Sequence, residues 1–165
     1  MKGYNCKKLC LIFLVLFCLF LNSCKSPENI IQRTSDVDFS SPKNMQVSYN
    51  EYIYNISLSL NEKTLLIEFI DGENLLCGAN IQLTENNYQI NYNDIIFCGD
   101  KSQLINSFLP CVIYDFIFSF EDKIILNSYD KEKACFFIKK EVNGFFVTLE
   151  CYETENDKFY SMEIK

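Results

Sequence analysis

The chain of 165 residues contains no histidine and no tryptophan, and it has only five glycines and three prolines. Without histidine, Ser-His-Asp and Cys-His catalysis and all histidine-ligated metal sites are excluded. Basic residues are also in the minority, with 15 Lys and Arg against 22 Asp and Glu, and the net charge is −7. An acidic chain is not drawn to nucleic acid by its electrostatic field. The acidic residues cluster at turns, where charges are usually solvated, so we expect no catalytic residue, no metal or cofactor and no nucleic-acid partner.

The first residues combine a basic start with a short apolar run. Lys2, Lys7 and Lys8 precede an uncharged stretch from Leu9 to Leu21. This stretch is shorter than the roughly 20 residues that a membrane-spanning helix needs. A basic segment followed by an apolar run of about 7–15 residues is typical of a secretory signal.

The border of the apolar run reads Leu21-Asn22-Ser23-Cys24. This tetrapeptide resembles the lipobox of bacterial lipoproteins, in which a cysteine receives a diacylglycerol and the peptide before it is removed. The resemblance implies cleavage between Ser23 and Cys24 and anchoring of Cys24 at the extracytoplasmic face of the cell membrane. The alternatives are a transmembrane anchor or an ordinary signal with a chance cysteine. Cleavage would remove three lysines, so the net charge of the mature chain would be −10.

The rest of the chain is predicted to form a tether and one domain. Residues 24–46 are polar and contain Pro27 and Pro42, which favours a flexible tether. Residues 47–165 have the length and apolar content of a single β-rich globular domain. Removal of residues 1–23 as a signal peptide would leave these two parts.

Five cysteines remain beyond Cys24, and none forms a CxxC pair, which argues against zinc and thioredoxin-like sites. A two-residue loop at Asn143-Gly144 would place Phe136 opposite Cys151, whereas a three-residue loop would place Cys135 there. The first register gives the better apolar face. We therefore favour free, mostly buried thiols over a disulfide.

An alternation with period two predicts strands on both sides of a helical segment. Each strand has one apolar face, which favours a single curved antiparallel sheet of about eight strands with one face covered. The predicted strands cover residues 52–60, 63–70, 75–83, 88–92, 95–98, 123–129, 134–140, 145–152 and 158–164.

Residues 100–120 have a period close to four and predict one long apolar helix, with Asp100 as the N-cap. Pro110 would lie in its interior and should kink or split it. The economical arrangement is a mainly β (α+β) fold in which this helix lies on the concave face of the sheet.

This order of elements resembles the LolA-like lipoprotein carriers, which are open half-barrels, and the clostridial germination lipoproteins of the GerS type. The resemblance is carried by the Leu76-Cys77-Gly78 stretch in a strand, the segment from Tyr92 to Gly99, and the break from Ser107 to Pro110. It implies a concave apolar surface that accepts acyl chains or hydrophobic segments. For the germination lipoproteins, the implied partner is a spore-cortex amidase.

We therefore expect a non-enzymatic, membrane-anchored module that binds a hydrophobic ligand or lipid. The alternative function is to act as the partner or activator of another exported protein. The same residues that would line an apolar trough would equally serve as an ordinary filled core. They are Tyr54, Ile56, Leu58, Ile67, Phe69, Ile81, Phe116 and Phe120.

Overall fold

The computed structural model describes residues 38–71, 76–118, 124–130, 134–153 and 158–165. Within those ranges the chain forms ten strands, one α-helix and one 3₁₀ turn, so the mainly β prediction is confirmed with more strands than expected. The elements are β1 (Lys43–Tyr49), β2 (Tyr52–Asn61), β3 (Thr64–Asp71), β4 (Asn80–Leu83), β5 (Asn87–Tyr92), β6 (Ile95–Asp100), the 3₁₀ turn (Lys101–Gln103), α1 (Leu109–Phe118), β7 (Ile124–Asp130), β8 (Cys135–Val142), β9 (Phe145–Glu153) and β10 (Lys158–Ile164).

All ten strands belong to one open sheet, in the order β6-β5-β4-β3-β2-β1-β10-β9-β8-β7. Strands β1 to β6 form one antiparallel meander, and β7 to β10 form another. The two meanders meet where β1 pairs with β10 in parallel. The sheet is therefore mixed, and the prediction of a purely antiparallel sheet is wrong at this central pair.

The strand β1 begins four residues before Val47, where the sequence predicted the domain to start. Its alternate residues Met45, Val47 and Tyr49 are buried. Phe39 is buried as well, and its carbonyl accepts a hydrogen bond from the backbone N–H of Leu60 at 2.7 Å. The polar neighbours of these residues face outward and concealed this half-buried strand within a stretch that resembles a tether.

The hydrophobic core lies on one face of the sheet. Alternate residues of the strands point to this face, as Ile56, Leu65 and Leu149 do. Helix α1 packs over the same face and contacts β4 and β8, which belong to different meanders. One buried layer therefore joins both halves of the sheet.

The helical segment differs from its prediction. Residues 101–103 form a 3₁₀ turn, and the α-helix begins only at Leu109. Asp100 precedes the 3₁₀ turn and makes no side-chain capping bond. Pro110 lies in the first turn of α1, where its missing N–H costs nothing because that group has no partner within a helix. The proline thus starts the helix instead of kinking it.

The hairpin between β8 and β9 has the two-residue loop that the sequence predicted. Asn143 and Gly144 both have positive φ, at 52° and 84°. Phe136 pairs with Cys151, and Ile138 pairs with Leu149, so the favoured register is confirmed. No disulfide joins any two of the five described cysteines: Cys111, Cys135 and Cys151 are buried, and Cys77 and Cys98 are exposed.

The strand predicted over residues 75–83 is shorter in the structure. Residues 76–78 form a turn with Gly78 at φ 81°, and β4 begins at Asn80. The Leu76-Cys77-Gly78 stretch therefore lies in a turn and not in a strand. A positive φ is readily adopted by glycine, which explains why the chain reverses at this position.

Candidate functional site

The residues predicted to line a trough lie in the core. Of the seven that the structure describes, Tyr54 is the most exposed, at 9%, and the others are at most 2% exposed. The rings of Tyr54 and Phe69 meet edge to face at 5.7 Å between centroids. Phe116 joins the same cluster from α1. Phe120 lies outside the described residues, as do the predicted lipidation residues Ser23 and Cys24.

Strand β6 carries an exposed apolar surface that the trough prediction did not include. Ile95, Ile96 and Phe97 are consecutive, and their side chains are 57%, 59% and 52% exposed. We call these three residues the β6 strip. The signal for it in the sequence is the absence of polar alternation: a strand with one covered face should not carry apolar residues on both faces.

The β6 strip lies on an edge of the sheet. The structure describes β5 on one side of β6 and no strand on the other. The loop at Asn93-Asp94 has two residues with positive φ, 48° and 64°, so the flanking residues Tyr92 and Ile95 form a hydrogen-bonded pair. By alternation along the strand, the N–H and C=O groups of Ile96 and Cys98 point away from β5.

The core face continues outward beneath the β6 strip. Ile95 and Phe97 pair with Tyr92 and Ile90 and so lie on the same face of the sheet as these two residues. Ile90 and Tyr92 are half-buried and pack against the core cluster. The apolar face therefore runs from the interior to solvent without a polar break at this edge.

The opposite edge of the sheet has a different character. Along β7, the pairing with β8 shifts register between Ile124 and Leu126. Such irregularities discourage another chain from pairing with an edge. From Ile95 to Gly99, by contrast, β6 has no charge, no proline and no register shift. Of the two edges, β6 is the one suited to receive another strand.

Acidic residues bracket the β6 strip. Asp94 and Asp100 are both exposed, one in the turn before the strand and the other at its end. The nearby cation Lys101 is engaged elsewhere, with its Nζ atom 2.6 Å from Oδ1 of Asp115 and 3.9 Å from the ring centroid of Tyr114. The edge therefore presents apolar side chains between two negative charges.

Helix α1 is fixed to this region and to the other half of the sheet by polar contacts. Asp115 accepts hydrogen bonds from Lys101 at 2.6 Å and from the side-chain amide of Asn143 at 2.7 Å. Lys140 is fully buried on β8, and its Nζ donates to the carbonyl of Phe116 at 3.2 Å. A cation near the last turn of a helix favours its dipole. These contacts set the position of the turn that follows β6.

An open pocket of about 630 Å³ lies beside the end of β6. Its wall includes the side-chain amides of asparagine and glutamine residues and the exposed Cys98. The lining residues are Thr64, Gln82, Thr84, Asn87, Tyr88, Gln89, Cys98, Gly99, Asp100 and Gln103. Tyr88 and Gln103 approach Gly99 so closely that a Cβ atom there would lie 2.5 Å from Oε1 of Gln103. A larger residue at this position would therefore force the side-chain ends of Gln103 and Tyr88 to move.

A separate polar cluster lies on β9 and β10. The hydroxyl of Tyr152 donates to the carboxylate of Glu150, and this bond raises the pKa of Tyr152 to about 12. Ser161 also donates to Glu150, at 3.4 Å. Burial raises the pKa of the Cys135 thiol, so it is a poor nucleophile at neutral pH.

Among the described residues, no group of three or more potential metal ligands is found, and no helix is long and apolar enough to cross a membrane. No protein family, curated protein or solved structure matches this chain.

Proposed function

We propose that this chain is a membrane-anchored lipoprotein that binds another exported protein through the β6 strip. The observation that carries the proposal is the row of three large apolar side chains, each more than half exposed, on a sheet edge beside which the described residues place no further strand. Complete burial of such a side chain contributes about 1.5–3 kcal/mol, so three of them provide a usable docking surface. Contiguous exposed apolar patches commonly mark interaction sites.

The anchoring part of the proposal rests on the lipobox sequence. A diacylglycerol on Cys24 would hold the chain at the extracytoplasmic face of the cell membrane, since two acyl chains suffice for stable anchoring. The excess of negative charge favours a domain that stands off an anionic membrane surface. A spore-cortex amidase, implied by the resemblance to germination lipoproteins, is one candidate partner.

The anchoring is tested by replacing the cysteine. With Cys24→Ser, we expect loss of palmitate incorporation and failure of the precursor to be processed before residue 24. Continued processing at an unchanged site, with no labelled lipid on the wild-type chain, would contradict lipidation and leave the docking proposal standing.

The docking is tested by a photocrosslinking amino acid placed at Ile96 in the producing organism. The matched control position is Ile53 on β2, which is 56% exposed. We expect a discrete crosslinked product from position 96, absent from position 53, and lost when Phe97 is changed to Lys. Equal products from both positions, or a product insensitive to Phe97→Lys, would contradict docking at the β6 strip.

A second candidate function is binding of an acyl chain at the same end of the core. It is favoured by the continuity of the apolar face from Ile90 and Tyr92 to Ile95 and Phe97. A LolA-like half-barrel with the helix on its concave face would suit such a ligand. Each buried CH2 group of an acyl chain contributes about 0.8 kcal/mol.

Native mass spectrometry of the chain without its lipid, Lys25 to Lys165, distinguishes the two candidates. If the wild-type chain carries adducts of lipid mass and the Ile90→Asp variant does not, the acyl-chain site is favoured. A monomer free of adducts, together with crosslinking from position 96, would favour the protein partner.

A further inference from the structure

We propose that β6 binds an extended apolar segment of its partner as an additional antiparallel strand, with basic residues of that segment opposite Asp94 and Asp100. This inference rests on the proposed docking function and specifies the chemistry of the partner. It commits to hydrogen bonding along the backbone and not only to apolar contact with the β6 strip.

The backbone of β6 supplies the first part of the argument. The hydrogen-bonded pairing at Tyr92 and Ile95 repeats every second residue, and the N–H of Lys101 donates to the carbonyl of Asn86 at 2.7 Å, in phase with it. The outward N–H and C=O groups therefore belong to Ile96 and Cys98. No strand of the described residues pairs with these groups, and such edge groups are the template on which β-strand addition occurs.

The side chains specify the pattern of the added strand. Ile95 and Phe97 point to the core face, whereas Ile96 and Cys98 point to the other face. In an antiparallel pair, directly opposite residues lie on the same face and stabilise each other. The partner segment should therefore carry apolar residues at alternate positions, opposite Ile95 and Phe97.

The charges decide which chain supplies the strand. Asp94 lies in the turn before β6 and Asp100 at its end, and the strand between them, from Ile95 to Asp100, spans about 17 Å. A second copy of this chain, paired antiparallel about Phe97, would place Asp94 opposite Asp100 at both ends. Like charges directly opposite are destabilising. A different chain with lysine or arginine at both ends of an apolar segment would instead place opposite charges beside Asp94 and Asp100.

The test uses a fluorescently labelled peptide, acetyl-KVTVTVK-amide, and the full chain in detergent micelles. In the antiparallel register, the two lysines of the peptide lie near Asp94 and Asp100, and its valines lie on the core side of the sheet. The backbone N–H and C=O groups of its two threonines form hydrogen bonds with those of Ile96 and Cys98. We expect saturable binding by fluorescence anisotropy and slower hydrogen exchange over residues 95–100. Ile96→Lys should abolish binding, whereas the control Ile53→Lys should not.

Two modified peptides separate strand addition from simple apolar contact. Methylation of both threonine amides removes two hydrogen bonds to β6 and should weaken binding about tenfold or more. Methylation of the central valine amide, which points away from β6, should change affinity less than about threefold. The peptide EVTVTVE should bind more weakly than KVTVTVK, and the difference should shrink in high salt.

The outcomes separate this inference from the docking proposal. If both methylated peptides bind equally, or if KVTVTVK does not bind at about 1 mM, strand addition is wrong, and crosslinking from position 96 still decides docking. If the chain forms a dimer that Ile96→Lys disrupts, the second copy is the occupant and the basic partner is overturned.

Discussion

At the scale of single residues, the fold depends on side chains held in uncommon backbone conformations at its tight turns. The loops at 50–51, 93–94 and 143–144 each connect two strands through two residues with positive φ. Such loops match the twist of a hairpin, and they favour Asn followed by Gly. Only the third has that sequence. The other two place Glu51 and Asp94 where a side chain crowds the backbone.

The strain at Glu51 leads to a stability prediction. Glu51 has φ 68°, so Glu51→Gly should raise the free energy of unfolding by about 1 kcal/mol by relieving the left-handed conformation. The measurement is urea denaturation of the full chain. The control is Glu141→Gly, at an exposed strand position, which should lower the stability by about 0.5–1 kcal/mol. Equal losses at both positions would show that the turn is not strained.

At the scale of elements, helix α1 connects the two edges of the sheet and is fixed by contacts at its end. The chain leaves the β6 edge, crosses the core face as α1, and continues into β7 at the opposite edge. Lys140 donates to the carbonyl of Phe116 from within the core, and Asp115 ties α1 to the β8–β9 hairpin. The helix therefore links β4 in one meander to β8 in the other.

The buried lysine is predicted to be necessary for this attachment. Lys140→Met should lower the free energy of unfolding by about 2 kcal/mol, because the carbonyl of Phe116 loses a charged hydrogen-bond donor. The neighbouring Lys139→Met is the matched control. Lys139 is only partly buried, and its Nζ atom lies 5.0 Å from the centroid of the Phe146 ring. We expect a change within about 0.5 kcal/mol there. Equal stabilities of the two variants by thermal denaturation would refute the attachment.

At the scale of the whole molecule, two meanders share one core across the parallel pair β1·β10. Five residue pairs, from Met45 with Tyr160 to Tyr49 with Ile164, make this junction. Because the core cluster includes residues from both meanders and from α1, neither half buries its apolar face alone. The sheet should therefore unfold as one unit.

Whether the sheet unfolds as one unit is tested by weakening the packing at the β1·β10 pair. Met162 is 1% exposed on β10, and Met162→Ala should lower the free energy of opening by about 2–5 kcal/mol. Native-state hydrogen exchange should report the same loss in β2–β5 and in β8–β9. Phe159→Ala, at an exposed position of the same strand, is the control and should have little effect. A loss confined to β8–β9 would mean that the halves fold independently.

Local patterns predicted the elements better than their assembly. The period-two alternation gave β2 and β3, and Asn143-Gly144 gave the register of β8 with β9, because both are short-range features. The strand β1 and the parallel junction were missed, since the pairing of β1 with β10 joins residues more than a hundred positions apart. The 3₁₀ turn and late start of α1 follow from Pro110, whose role depends on where the helix begins.

For the candidate site too, local features were predicted from the sequence and features that depend on the assembled sheet were not. Tyr54, Ile56 and Phe69 were recognisable as apolar and inward-facing, but sequence alone does not tell a filled core from an open trough. The β6 strip was visible as consecutive apolar residues, yet its exposure depends on β6 being an edge. That property belongs to the topology of the whole sheet and not to the six residues of the strand.

The parallel pairing of β1 and β10 also has a mechanical consequence. A pulling force that acts on the Lys43 end of β1 and the Ile164 end of β10 is directed along both strands in opposite senses. The interstrand bonds of the five pairs are then loaded together in shear, instead of one after another as in unzipping. If the chain is tethered at its amino-terminal side, tension from the membrane enters the molecule through β1, which is flanked by β2 on one side and β10 on the other. The strand that receives the load is paired on both sides, and the β6 edge lies five strands away from it.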